Sequence, residues 1–386
     1  MTPAARVQTA IEILDRVRAG EAAEKALTSW ARRSRFAGAK DRAAIRDHVF
    51  DALRMWRSAA AAGGGESGRL RMLGLLRLQG IDADTLFTGQ GHAPAGLSEA
   101  ERAGGQTPEG AEALDLPDWI ADRFRQDLGD GAEPAALALR ARAPVFVRAN
   151  LLKTTRDKTQ ARLAEEGVTA VPHPLAETAL EITEGARGLT RTGAFEAGWI
   201  ELQDAASQAV VEMIPLEGAR RILDYCAGGG GKTLALAARA PGAALFAHDA
   251  DPRRMSDLGE RAARAEAKVT QVAKPDGVFD VVMADVPCSG SGAWRRAPEG
   301  KWRLTPERLD ELTAIQSEIL DRCAGLVAPG GCLAFATCSV LAAENEDRVA
   351  GFLAAHPGWR LGTSRRFLPS DGGDGFFVAC FLSDAD

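Results

Sequence analysis

The chain has 386 residues, 46% of them hydrophobic and 26% charged, an ordinary balance for a globular protein with room for two or three domains. No run approaches the roughly 18 apolar residues that a membrane span requires, and residues 1–18 are charged and amphipathic without the apolar centre of a secretory signal, so a cytoplasmic protein is expected. A formal charge of −6 argues against a chain that coats nucleic acid indiscriminately, yet residues 1–60 hold twelve Lys/Arg against seven Asp/Glu, a net +5, leaving 35 against 46, a net −11, on the other 326.

In chain order, Val7, Ile11, Leu14 and Val17 recur at helical spacing, and Ile45, Val49, Leu53 and Trp56 do so again with Arg42, Arg46 and Arg57 beside the stripe. This predicts an all-α bundle over residues 1–85. The Ala- and Gly-rich stretch after Ala59 and the breakers from Gly104 to Gly110 predict a linker over 86–117. Val145–Asn150 then reads as a strand, Asp157–Gly167 as a helix, and Val168–Val171 and Leu180–Ile182 as extended, giving a small α+β unit over 118–195.

From Arg220 onward strands and helices alternate, which places residues 196–386 in a third, α/β domain. Ile222–Cys226, Ala244–Ala247, Phe279–Ala284 and Cys332–Thr337 are apolar runs, and Lys232–Arg239, Pro252–Ala265, Pro306–Leu326 and Glu344–Ala355 carry helical patterns, which together predict a parallel, doubly wound, Rossmann-like sheet. Ligands of such sheets bind at the carboxyl ends of the strands. There lie the turn Cys226-Ala227-Gly228-Gly229-Gly230-Gly231-Lys232, then Asp249, Asp285 and Cys338.

All six cysteines, at 226, 288, 323, 332, 338 and 380, fall in the last 161 residues without a C-x-x-C pair or a zinc-like spacing to His, so neither disulfides nor a metal site is expected. Four glycines after a strand let the backbone approach a ligand closely. A dinucleotide fingerprint starting at Gly228 needs Gly at 233, where the chain has Thr233. A phosphate-binding loop finds its ending in Gly231-Lys232-Thr233 and an acid in Asp285, but Cys226 stands where its first glycine belongs. The third class is S-adenosylmethionine, for which Asp249 stands where an acid holds ribose hydroxyls.

Two cysteines beside such a turn suggest covalent chemistry. Carbon 5 of a pyrimidine becomes nucleophilic only after a thiolate adds to carbon 6, and cysteine both adds and departs well. Asp285, three residues before Cys288, is placed to stabilise charge on the ring. Either Cys288 or Cys338 can be the attacking thiol on this chemistry alone.

Asp285-Val-Pro-Cys-Ser-Gly-Ser-Gly292, Thr337-Cys-Ser339 followed by Glu344-Asn-Glu346, and the Cys226–Thr233 turn resemble the RsmB/Nop/Sun family of RNA cytosine-5 methyltransferases. Arg148–Lys153, Glu201–Gln208 and Gly373–Phe377 extend the resemblance over about residues 117–386. It implies a class I methyltransferase domain using S-adenosylmethionine, with Cys338 as nucleophile and Cys288 assisting product release. It also implies a ferredoxin- or RRM-like middle domain. The Ala37–Arg54 stretch resembles the NusB-like RNA-binding bundle of the ribosomal RNA members, which favours 16S ribosomal RNA over transfer RNA as substrate. Where the family has Ala-Pro in the turn, this chain has Gly228-Gly229, and no acid lies between Ala267 and Pro275 to serve as a further adenosine contact.

The basic, aromatic stretch Trp294–Arg303 suggests RNA contacts through Arg295, Arg296 and Lys301, with Arg148 as a fourth. A monomer is expected. The competing readings are a P-loop nucleotide hydrolase and a non-catalytic RNA-binding assembly factor.

Overall fold

The computed structural model describes residues 1–385, which form two compact units: residues 1–142 with 294–303, and residues 143–293 with 304–385. No helix among the described residues is long and apolar enough to cross a membrane.

The first unit is helical. Its helices are α1 (Pro3–Arg18), α2 (Ala23–Arg33), α3 (Ala39–Arg54), α4 (Trp56–Gly63), α5 (Gly68–Leu78), α6 (Glu99–Ala103), α7 (Gly110–Ala113), α8 (Asp118–Leu128) and α9 (Ala132–Ala138). The apolar stripe read from the sequence is its core, with Val7, Ile11, Leu14, Ile45, Val49 and Leu53 all buried against Met72, Leu73 and Leu76 of α5. Ala59–Gly63 of the Ala/Gly run finishes α4, and the expected breaker is the turn Gly64–Ser67 that precedes α5. The two helices pack so tightly that a Cβ on Gly74 would lie 1.9 Å from the Ala59 carbonyl oxygen. Small residues here serve a close helix crossing.

The expected linker is likewise fastened. Buried Asp115 accepts hydrogen bonds from the Arg57 and Ser58 amides, both 2.9 Å, and from Ser58 Oγ at 2.6 Å, and pairs with Arg140 at 2.9 Å. It thereby satisfies the open N–H groups at the start of α4.

The segment Trp294–Arg303, ending in the helix Glu299–Arg303, belongs to this unit. Lys301 Nζ donates to the Arg54 carbonyl and Trp302 Nε1 to the Leu53 carbonyl, both at 2.8 Å, so the last turn of α3 is capped by this distant stretch. Arg54 Nε donates to the Arg295 carbonyl at 2.7 Å, and Trp294 stacks on Phe124 with ring centroids 6.2 Å apart.

The second unit carries two sheets. The small one is antiparallel, in the order β2-β3-β1-β4, from β1 (Val145–Ala149), β2 (Thr169–Pro172), β3 (Ala179–Glu184) and β4 (Ile200–Leu202), with α10 (Arg156–Glu165) and α11 (Gly193–Glu196) between them. The helices α8 and α9, within the span of 118–195 read from sequence as an α+β unit, pack with the first unit.

After α12 (Ala205–Glu212) the large sheet follows as β5 (Arg221–Asp224), α13 (Gly231–Arg239), β6 (Ala244–Ala247), α14 (Leu258–Ala265), β7 (Val269–Gln271) and β8 (Phe279–Asp285). Counting Glu299–Arg303 as α15, the chain closes with α16 (Pro306–Ala324), β9 (Val327–Thr337), α17 (Glu346–Ala355), β10 (Trp359–Phe367) and β11 (Phe376–Ser383). The strand order is β10-β11-β9-β8-β5-β6-β7. Strands β5 to β9 run parallel, but β11 pairs antiparallel with both β9 and β10, so the sheet is mixed where a purely parallel one was expected. Phe376–Phe381 of β11 are fully covered, and a continuous apolar run of this length carries no sign of strand direction.

Candidate active site

The site is assembled at the carboxyl ends of β5, β6, β8 and β9. The chain leaves β5 at Asp224 and turns through Cys226–Gly230 into α13. Gly228 and Gly230 have φ of +50° and +83°, in the left-handed region, and a Cβ on Gly230 would fall 2.2 Å from Leu258 Cδ1. The Gly229 carbonyl accepts from Arg261 Nη1, and Arg261 is itself held by Glu201 at 3.2 Å. An arginine from α14 thus fastens the turn where the resembling sequences place proline. Ala227 is buried, and burial pushes the Cys226 thiol far up, so it stays protonated.

Asp249, just beyond β6, accepts the Gly228 amide on Oδ2 at 2.9 Å and the Asp251 amide on Oδ1 at 2.9 Å, and pairs with the half-exposed Arg254 at 3.2 Å. Asp224 is fully buried. Its Oδ2 accepts from Thr233 Oγ1 at 2.6 Å, while its Oδ1 has no partner. Burial first, then the charge of Asp285, pushes this carboxyl up to about 7 against the pull of Thr233 and Lys232. Thr233, needed in a P-loop to reach a metal, has its hydroxyl committed to Asp224 and is wholly buried, which disfavours that reading.

Lys232 Nζ donates to Asp285 Oδ2 at 2.7 Å and lies 4.9 Å from the centre of the Phe376 ring. Burial pulls its ammonium down, but the charges of Asp285, Cys338 and Asp224 and the bond to Asp285 outweigh this and hold it above its ordinary value.

Cys288 and Cys338 follow the ends of the neighbouring parallel strands β8 and β9, and their Sγ atoms lie 3.3 Å apart. The hydrogen bond with Cys338, then burial, then the charges of Cys338 and Glu344 hold the Cys288 thiol well above its ordinary value. Either sulfur can donate across this contact, and once Cys338 is a thiolate the donor is Cys288.

One carboxylate ties both cysteine loops together. Fully buried Glu344 accepts the Ser289 amide at 2.7 Å and Gln316 Nε2 at 3.1 Å on Oε1, and the hydroxyls of Ser289 and Ser339 on Oε2. Gln316 also donates to the Pro287 carbonyl at 3.0 Å. Thr337 Oγ1 donates to Asn345 Oδ1 at 2.6 Å, and Asn345 Nδ2 returns to the Ser339 carbonyl at 2.9 Å. Glu344 was visible in the sequence as part of a motif, without a role. A serine after each cysteine, with an acid five residues beyond Ser339, was the available signal.

Three residues expected to meet RNA are inside the protein. Lys301 is 1% exposed, its amine pushed down to about 7 by burial, and it caps α3. Arg295 is 3% exposed. Arg148 of β1 is also buried, donating to Gln203 Oε1 and to the Gly231 carbonyl at 2.7 Å, so it joins the small sheet to the glycine turn. A basic stretch in sequence does not tell a phosphate ligand from a buried strut, because both need donors. Arg296 is exposed.

A mixed sheet of this order, with a glycine turn after β5 and an acid after β6, defines a Rossmann-like methyltransferase domain. Residues 211–382 match the family model described as 16S rRNA methyltransferase RsmB/F, and residues 116–187 match its RsmF/B-like ferredoxin-like domain. The Ribosomal RNA small subunit methyltransferase B of Cronobacter sakazakii is 35% identical over 281 residues, covering 68% of this chain and 65% of that protein. Its counterpart in Yersinia pseudotuberculosis is 33% identical over 280 residues, with the same coverage. Through these regions the chain belongs to the RsmB/F methyltransferase family, whose members use S-adenosylmethionine. It spans just under two thirds of the length of these relatives. In fold it is similar to the solved structure of PH0851, with a TM-score of 0.77 at 23% identity over 99% of both chains. It is also similar to NSun6 of Pyrococcus horikoshii, with a TM-score of 0.60 at 18% identity over 70% of this chain and 99% of that one.

Proposed function

We propose that this protein methylates carbon 5 of a cytosine in RNA, with 16S ribosomal RNA as the substrate, through a covalent adduct on Cys338. The observation that carries the reading is the pair of thiols 3.3 Å apart beside the Lys232–Asp285 pair. Family membership and the ribosomal RNA names of the relatives support the substrate. The helical first unit suits the NusB-like RNA-binding role that the sequence suggests.

S-adenosylmethionine, when bound, supplies an electrophilic methyl group. The chain's residues fit it. The unpartnered Asp224 Oδ1 is an acceptor that the cofactor's ammonium would satisfy, the glycines leave room for close approach, and Asp249 stands over the turn to take the ribose hydroxyls.

Cys338, accepting from the Cys288 thiol and within reach of the Lys232 charge, is the nucleophile: its thiolate bonds to carbon 6, and the ring electrons move to carbon 5. Asp285, oriented by Lys232, hydrogen-bonds the base edge and stabilises the charge on the ring. After methylation the carbon 5 proton is lost to a base, the carbon 6–sulfur bond breaks, and Cys338 leaves as thiolate. Cys288, kept protonated, assists that departure by donating to the leaving sulfur.

Transfer of tritiated methyl to unmodified 16S ribosomal RNA, followed by mapping of 5-methylcytosine, tests this directly. Incorporation at carbon 5 is expected. RNA binding without incorporation would make the chain a non-catalytic RNA-binding factor, and incorporation into transfer RNA alone would move the substrate.

A further inference from the structure

One stretch of this acidic chain is strongly basic. Between Lys25 and Arg46 seven Lys/Arg stand against a single acid, Asp41, in a chain of net charge −6. The structure divides these cations. Arg42 donates to the Ala37 carbonyl at 3.0 Å, and Arg46 pairs with Glu24 and covers the Phe50 ring at 4.6 Å. Asp41 is taken by Arg6 and the terminal amino group. Arg32, Arg33, Arg35 and Lys40 are exposed, and none of them makes a hydrogen bond or ion pair among the described residues. The arginines that the helical periodicity singled out are therefore engaged, while those at the end of α2 and in the turn to α3 are not.

Amid these cations stands Phe36, 76% exposed, more than any other large hydrophobic side chain described. Together with Trp30, Gln8 and His92 it lines a cavity of about 1030 Å³ in the first unit. Unpaired arginines repel one another, and an exposed phenylalanine forgoes burial. Both costs are offset by a ligand that is anionic along its backbone and aromatic along its side, which describes a nucleic acid strand with its bases unstacked. An acidic protein would answer the charge but not the solitary ring.

We propose that Arg32, Arg33, Arg35 and Lys40 with Phe36 form a docking patch for single-stranded RNA, the cations holding phosphates while a base stacks on Phe36 at the mouth of the Trp30 cavity. The patch rests on the reading of the chain as an RNA methyltransferase and adds where the substrate is held apart from the thiols.

Charge and stacking separate in the test. Binding of a fluorescein-labelled oligouridylate of about twenty nucleotides to the full chain is followed by anisotropy across a salt series. The triple variant Arg32→Ala/Arg33→Ala/Arg35→Ala is expected to lower the slope of log affinity against log salt by about 2, at ~0.7 for each single-strand phosphate that the variant leaves unneutralised. Phe36→Ala is expected to weaken binding by about tenfold at an unchanged slope, because it removes a stacking face and no charge. A control that removes exposed but ion-paired arginines, Arg308→Ala/Arg322→Ala on α16, is expected to bind as the wild type does. Wild-type affinity and slope in the triple variant would overturn the patch. So would a Phe36→Ala variant that alters sedimentation while leaving RNA binding intact, which would make this face a contact between proteins. Methyl transfer by the wild type is measured alongside: transfer with patch-independent binding refutes the patch alone, and patch-dependent binding without transfer refutes the reaction alone.

Discussion

Removing the Glu344 carboxylate tests whether the cysteine loops are held in place by the network beneath them. In Glu344→Ala the amide and hydroxyl of Ser289, the hydroxyl of Ser339 and the amide of Gln316 lose their common acceptor in a site closed to solvent. Hydrogen bonds to a charged group are worth ~1.5–3 kcal/mol each, but these four share one acceptor, so the loss expected is that of breaking a buried charged network, ~3–5 kcal/mol. At ~2–4 °C per kcal/mol for a unit of this size, the melting temperature should fall by ~6–20 °C. Glu344→Gln keeps the volume and one carbonyl oxygen, so a smaller loss of ~1–3 kcal/mol is expected.

The functional consequence is read from the Gln variant, which should still fold. Ser289 and Ser339 each adjoin a reactive cysteine, and a displacement of about 1 Å in a reacting group can cost ~100-fold in rate. In a tritium-transfer assay kcat should fall at least tenfold, while KM for S-adenosylmethionine stays level, because the glycine turn and Asp249 make no contact with Glu344. An intact kcat in Glu344→Gln with a lowered melting temperature would refute the positioning role. An unchanged melting temperature in Glu344→Ala would refute the network itself.

The two cysteines should separate on denaturing gels of enzyme mixed with RNA and cofactor. Cys338→Ala is expected to form no adduct and Cys288→Ala to accumulate one, and the opposite pattern would exchange their roles. Asp224, held at about 7 when folded against its ordinary 3.8, binds a proton that the unfolded chain has lost between these values. Its contribution to stability is therefore complete below about 3.8 and disappears as pH rises toward 7. The melting temperature of Asp224→Asn relative to the unliganded wild type should accordingly climb across that window, and a flat difference would show that the carboxyl is ionised throughout. Gly230→Ala introduces both a left-handed alanine and a methyl group 2.2 Å from Leu258 Cδ1, so it should cost ~1–3 kcal/mol and weaken S-adenosylmethionine binding in calorimetry. Wild-type affinity in that variant would mean that the turn can relax away from α14.

Local pattern alone disclosed the helical stripe of α1 and α3, the strand-to-helix alternation from β5 onward, and the glycine turn with its two cysteine motifs. Those features are legible because a helix face, a buried strand and a tight turn each impose a spacing or a residue type on the chain itself. The antiparallel insertion of β11 was not legible, since Phe376–Phe381 is apolar on both faces whichever way the strand runs. Nor was the fate of the charged side chains. Lys301 and Arg148 are donors to backbone carbonyls, whereas Arg32 and Arg35 face solvent, and nothing in their immediate sequence separates the two groups.

The sequence by itself determined the family, the cofactor turn and the two thiols, because close backbone approach and covalent chemistry admit few substitutes for glycine and cysteine. Only the tertiary structure decided which carboxylate joins the two cysteine loops, which strut secures the glycine turn and which arginines are left for a ligand. A charge acquires its partner from segments 50 to 250 residues away, as Glu344 does from Ser289 and Lys301 from Arg54, and that pairing exists only once the chain has folded.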